Sequence, residues 1–148
     1  VVVGPGELDK ESQYMLGASN SEDILIAGRV SYRDLPRYYS SADIFCSPAT
    51  GSESFGIVLL EAMASRKPVV ASNILGYRSI IKDREQGLLF DSKDCESLAT
   101  ALKSIITNPD LGHKMGISGR ETAERYSWSS ISKQVEEYYL DRIRSVRL

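Results

Sequence analysis

Two carboxylates in the pattern Glu53-x7-Glu61 bracket a run in which almost every position from Phe55 to Ala64 is apolar or small. The run reads as a short loop entering a helix that is buried all round. An acid inside such a helix is costly unless a partner offers it hydrogen-bond donors, and sugar hydroxyls are donors of that kind. Ser54 suits a helix cap, accepting a backbone N–H bond. Gly56 lets backbone approach a ligand closely. The amides of Gly56, Ile57 and Val58 then point out of a helix N-terminus, a ready site for an anion. Glu61 follows Ile57 and Val58 at helical spacing and shares their face. One ligand could meet all of these groups: a diphosphate at the helix start, with hydroxyls held at Glu53 on one side and Glu61 on the other. A nucleotide-sugar has that layout.

The elements needed to position these groups are legible on both sides. Val1–Val3, Ile24–Gly28, Ser41–Pro48 and Val69–Ala71 read as strands. They alternate with helical stretches, and such continuous apolar runs suit a parallel sheet covered on both faces. Gly4-Pro5-Gly6 is a turn, and a helix over about Glu7–Gly17 turns Leu8 and Met15 inward. Asp34 caps a helix that has Pro36 in its first turn. Ser79–Asp83 is a short helix, and Asp94 opens another with Leu98, Leu102, Ile105 and Ile106 on one face. Asn108-Pro109 ends it; helices over Asp110–Tyr126 and on to about Ile143 follow. In an open α/β sheet the ligand lies at the carboxyl ends of the strands.

The chain has 148 residues, enough for one domain, and a formal net charge of −2. That balance leaves no electrostatic footprint for nucleic acid. No apolar run approaches the length of a membrane span. Cys46 and Cys95 lack metal or redox spacing, no metal-ligand cluster is expected, and a cytoplasmic setting fits. The single histidine, His113, falls on a solvated helix face.

Glu53-x7-Glu61, followed by Ala62-Met63-Ala64 and then Pro68-Val69-Val70-Ala71-Ser72, resembles the signature of the retaining glycosyltransferases of family 4, which have the GT-B fold of two Rossmann-like halves. The wording Glu-Ser-Phe-Gly-Ile-Val-Leu-x-Glu-Ala-Met-Ala is similar to that of the phosphatidylinositol mannosyltransferases in that family. The resemblance covers nearly the whole chain. It implies an α/β, Rossmann-like carboxy-terminal half-domain of a GT-B fold, lacking its first strand-helix unit. It implies a hexosyl transfer, with mannosyl the first candidate, from a nucleoside diphosphate sugar to an alcohol, with retention. The donor would be GDP-mannose or a UDP-sugar, with no cofactor and no metal. Glu53 would hold the sugar hydroxyls as the catalytic-site carboxylate, without being assigned as a covalent nucleophile. Glu61 would hold the ribose hydroxyls, Ser54, Phe55, Gly56, Ile57 and Val58 would line the diphosphate, and Val30 and Ser31 would border the base. Three positions depart from the family pattern: Arg66 and Arg84 stand where glycine is usual, and only Gly76 remains of a common Gly-Gly turn that borders the sugar-phosphate site. A local turn of different shape is therefore expected at Arg66.

The family also carries an earlier strand-loop-helix unit with an Arg and a Lys that clamp the diphosphate, and nothing in this sequence matches it. Residues 1–148 are accordingly expected to be the donor-binding domain of a larger enzyme, truncated at its amino terminus and inactive alone. Its expected partners are the sugar donor and the amino-terminal acceptor domain of the same protein. Val1–Val3 would then lie beside Ile44–Cys46, directly or across a gap, and an open sheet edge invites self-association. Tyr138, Tyr139 and Leu140 are read as core, with docking onto the other half as the alternative. Arg142, Arg144 and Arg147 are read as a solvated helix end. Contact with anionic lipid is the alternative, and it would put the full-length enzyme at the inner face of the membrane. Two rival functions fit the same residues. One is another enzyme of this scaffold, such as an epimerase, which Glu-Ser-Phe-Gly disfavours, or a glycogen-synthase-like transferase. The other is a non-catalytic nucleotide-sugar-binding subunit.

Overall fold

The computed structural model describes residues 1–4, 10–17 and 23–146. The chain divides into two units, Val1–Tyr38 and Tyr39–Leu148. In the first, β1 (Val2–Val3) pairs in parallel with β2 (Ile26–Gly28), matching Val2 to Ile26 and Val3 to Gly28. Between them runs α1 (Lys10–Gly17). Met15 was expected to face inward, but its side chain is 64% exposed. Pro5, Gly6 and Leu8 lie outside the described residues. At the start of α2 (Leu35–Ser41) the Asp34 carbonyl accepts the Arg37 and Tyr38 amides. The Asp34 carboxylate is taken up by Ser31 Oγ at 2.7 Å and the Arg37 guanidinium at 3.2 Å.

The second unit is a three-layer sandwich around a parallel sheet of β3 (Phe45–Ser47), β4 (Val69–Ser72) and β5 (Gly87–Phe90), in that spatial order. The register is Phe45 to Val69 to Gly87. All four residues of β4 are fully buried, as its continuous apolar run requires of a central strand. Alternation along the strand divides the core in two. Val69 and Ala71 join Leu59, Met63, Tyr77, Ile80 and Ile81 on the face covered by α3 (Ile57–Ala64). Val70 joins Leu88, Phe90, Ala101, Ile105 and Met115 on the face covered by α5 (Cys95–Ile106) and α6 (Pro109–Arg125). The Asp94 carboxylate accepts the Glu96 and Ser97 amides, and Asn108 caps α6 through the Leu111 amide.

Helix α3 ends in a left-handed turn that the sequence did not promise. Arg66 has φ 56°. Its amide donates to the Met63 carbonyl and that of Lys67 to the Ala62 carbonyl, the bonding of a glycine-type helix cap. The expected change of shape at Arg66 does not occur. Helix α6 fixes the turn from outside: a Cβ on Gly116 would overlap the Arg66 carbonyl, so only glycine lets the two backbones meet. Arg120 Nη1 donates to the Ala64 carbonyl at 2.6 Å, satisfying another group at the end of α3. Arg84, also standing for a usual glycine, has φ 66°. There too the turn is kept, its amide bonded to the Gly87 carbonyl at 2.8 Å.

Two further expectations are revised. The short helix after β4 is α4 (Leu75–Arg78), one turn earlier than Ser79–Asp83. In α7 (Trp128–Val146) Tyr138, Tyr139 and Leu140 are exposed rather than core, with the two tyrosine rings 6.0 Å apart and Arg142 over Tyr138. Arg142 and Arg144 are exposed, and Arg147 lies outside the described residues. No described helix is long and apolar enough to cross a membrane.

Candidate functional site at the start of α3

The loop after β3 and the first turn of α3 carry most of the residues picked out by sequence. Ser52, Glu53, Ser54 and Phe55 are exposed. The helix begins at Ile57, and its N-cap is Gly56 with φ 85° and no side-chain cap bond. Ser54 is therefore not the cap. The chain enters the helix through a left-handed residue, a conformation that costs other residues roughly 1–2 kcal/mol. The amides of Gly56, Ile57 and Val58 have no hydrogen-bond partner among the described residues. Ile57 is 56% exposed, so the turn is open to solvent. Unpaired N–H groups and the helix dipole together give this end about half a positive charge.

Beneath the turn lies Tyr77 of α4, 1% exposed. A Cβ on Gly56 would stand 2.6 Å from its Cε1. Its hydroxyl is 2.6 Å from Ser47 Oγ at the end of β3, and Ser72 Oγ at the end of β4 donates to the Ser47 carbonyl at 3.4 Å. Ser47 thus joins the two strand ends to each other and, through the Tyr77 phenol, to the ring beneath the turn. Burial pushes the Tyr77 hydroxyl above its usual range; Ser47 opposes that shift and the nearby Glu53 charge adds to it. Gly76, one residue earlier, packs on the loop itself: a Cβ there would overlap the Glu53 carbonyl. Gly76 thus lets α4 approach the backbone of Glu53.

Glu61 is half-buried on α3. The Tyr39 hydroxyl donates to its Oε2 at 2.8 Å, and the Tyr39 ring stands 5.4 Å from that of Phe45 on β3. Burial first, then the bond to Glu61 and its negative charge, raise the Tyr39 phenol far above its ordinary value. Phe55 lies edge-on to Tyr126 at 5.6 Å, and Val58 packs on the core. The structure thus gathers Glu53, Ser54, Phe55, Gly56, Ile57, Val58 and Glu61 on one loop and helix. Val30, half-buried, and Ser31, exposed and bonded to Asp34, belong to the first unit. Tyr39, Ser47 and Tyr77 were missed in the sequence. Their signal was weak but physical: a buried tyrosine hydroxyl needs a partner, and so does an acid on an apolar helix.

A separate concavity of about 400 Å³ is lined by Arg78, Lys82, Gln86, Thr122, Arg125 and Tyr126 among others. Gln86 and Thr122 bond to each other there at 3.3 Å. No group of three or more potential metal ligands occurs among the described residues.

Comparison with known proteins places the fold. Residues 1–122 match the family model of glycosyl transferases group 1. The phosphatidyl-myo-inositol mannosyltransferase of Mycobacterium leprae is 37% identical over 139 residues, covering 94% of this chain and 37% of the relative. Sucrose-phosphate synthase from Thermosynechococcus elongatus superposes with a TM-score of 0.82 at 29% identity, over 92% of this chain and 34% of that one. Anabaena Alr3699/HepE in complex with UDP gives a TM-score of 0.86 at 23% identity, over 94% and 40%. The chain therefore spans 37% of the length of the mannosyltransferase and 34–40% of the two solved structures. The fold is the Rossmann-like half of a GT-B glycosyltransferase, and the chain belongs to the group 1 glycosyl transferases.

Proposed function

We propose that residues 1–148 form the donor-binding domain of a retaining hexosyltransferase that moves a sugar, with mannose the first candidate, from a nucleoside diphosphate to an alcohol. One observation carries the reading: three unpaired amides open the first turn of α3, with one carboxylate before the turn and another within the helix. The diphosphate settles against those amides. Charge developing on the departing diphosphate is stabilised by dipoles already in place, the kind of contribution that is largest in group transfer. Glu53 accepts bonds from the sugar hydroxyls and fixes the ring; Glu61 accepts bonds from the ribose. Support for a nucleotide-sugar comes from relatives named mannosyltransferase and from Alr3699/HepE, solved with UDP and with UDP-glucose. The alcohol acceptor, of inositol type by the relatives' names, binds on the remainder of the protein. Calorimetric titration with GDP, UDP and their sugars tests the reading: saturable binding of one base series supports it, and no binding of either removes it.

A further inference from the structure

We propose that Tyr39 is a positioning residue for the nucleotide ribose, acting through Glu61: its hydroxyl holds Oε2 and so presents the rest of the carboxylate to the 2′,3′-diol. The inference rests on the ribose role given to Glu61 above. A glutamate has three side-chain torsions, and freezing them carries an entropic cost. An acid left mobile would meet that cost when the nucleotide binds. Here the cost is met during folding, because the 2.8 Å bond to Tyr39 fixes the carboxylate beforehand. Tyr39 is itself fixed, with its ring against Phe45 and its place in the last turn of α2. A carboxylate offers about four lone-pair sites. One phenol leaves enough for two ribose hydroxyls. The raised phenol keeps its proton throughout the physiological range, so it always acts as the donor.

The test is Tyr39→Phe, which keeps the ring on Phe45 and removes only the hydroxyl. The ligands are whichever of GDP and UDP the wild type binds, and the 2′,3′-dideoxy form of the same nucleotide. The expected result is an affinity loss of roughly three- to tenfold for the ribonucleotide and none for the dideoxynucleotide. Glu61→Gln and the double variant Glu61→Gln/Tyr39→Phe should bind the ribonucleotide equally weakly. Equal losses on both ligands would mean Tyr39 serves only the fold and would overturn the inference. So would wild-type affinity in Tyr39→Phe while Glu61→Gln is weakened. A wild type that binds neither nucleotide defeats the donor-site reading itself, a separate outcome.

Discussion

The Tyr77 ring occupies the space that any side chain on Gly56 would need, with Cε1 only 2.6 Å from the position of a Cβ. Gly56 is thus constrained twice, by this ring and by its left-handed φ of 85°. Tyr77 is in turn held by Ser47 at the end of β3. The open turn of α3 is set by the core beneath it, not by a polar cap.

Gly56→Ala should accordingly destabilise the protein by about 2–5 kcal/mol, the sum of a left-handed alanine and an overpacked ring. Urea unfolding measures it. Pairing the change with Tyr77→Leu should recover the packing part and leave the backbone part. A single variant as stable as the wild type would show that the ring yields freely.

Arg66→Gly should stabilise the fold by about 0.5–1 kcal/mol, because φ 56° costs arginine more than glycine. Gly116→Ala should do the reverse, by about 1–3 kcal/mol, since its methyl meets the Arg66 carbonyl and backbone cannot step aside. Thermal melts of the two variants should move in opposite directions; a shift of the same sign in both would refute the packing described for this corner.

Stability should fall as the solution becomes strongly alkaline. Tyr39 and Tyr77 both have phenols raised above the ordinary 10.0 in the fold. Below pH 10 their contribution is fully present. Above it the unfolded chain releases these two protons while the folded chain keeps them, so stability drops as pH climbs toward the folded values. The slope of melting temperature against pH above 10 should lessen in Tyr39→Phe and in Tyr77→Phe. An unchanged slope in both would remove the tyrosines as its cause.

Much of this organisation could be read from residue order. The apolar run Val69–Val70–Ala71 announced a strand buried on both faces, and Asp94 announced the start of α5, because both signals are local. The candidate residues from Glu53 to Glu61 could be proposed from sequence for the same reason: they are contiguous. What escaped depended on distant chain. Ser54 had the chemistry of a cap, yet Gly56 takes that place because the Tyr77 ring lies beneath it. Arg66 looked like an altered turn, but α6 at Gly116 holds it left-handed, and Arg84, also standing for a usual glycine, is held left-handed with its amide bonded to the Gly87 carbonyl. The short helix came early at Leu75–Arg78. There Gly76 packs on the Glu53 carbonyl and Arg78 bonds to Asn73, contacts that no helical period reveals. Glu61 asked for a donor, and only tertiary structure could name Tyr39.

Glu53 and Gly76 should affect the sugar more than the nucleotide. Glu53→Ala should weaken binding of the nucleoside diphosphate sugar by about 1.5–3 kcal/mol, the loss of a charge-assisted bond, with little effect on the diphosphate alone. Gly76→Ala, which displaces the Glu53 carbonyl, should erode the same difference in part. Competition binding with and without the sugar distinguishes the two ligands, and equal weakening of both would detach Glu53 from the sugar.

The most direct measurement is a calorimetric titration of the wild type and Glu61→Ala with GDP and UDP. The account predicts that one of the two nucleotides binds the wild type and that Glu61→Ala weakens it on the order of 1.5–3 kcal/mol. Undiminished affinity in Glu61→Ala would contradict it.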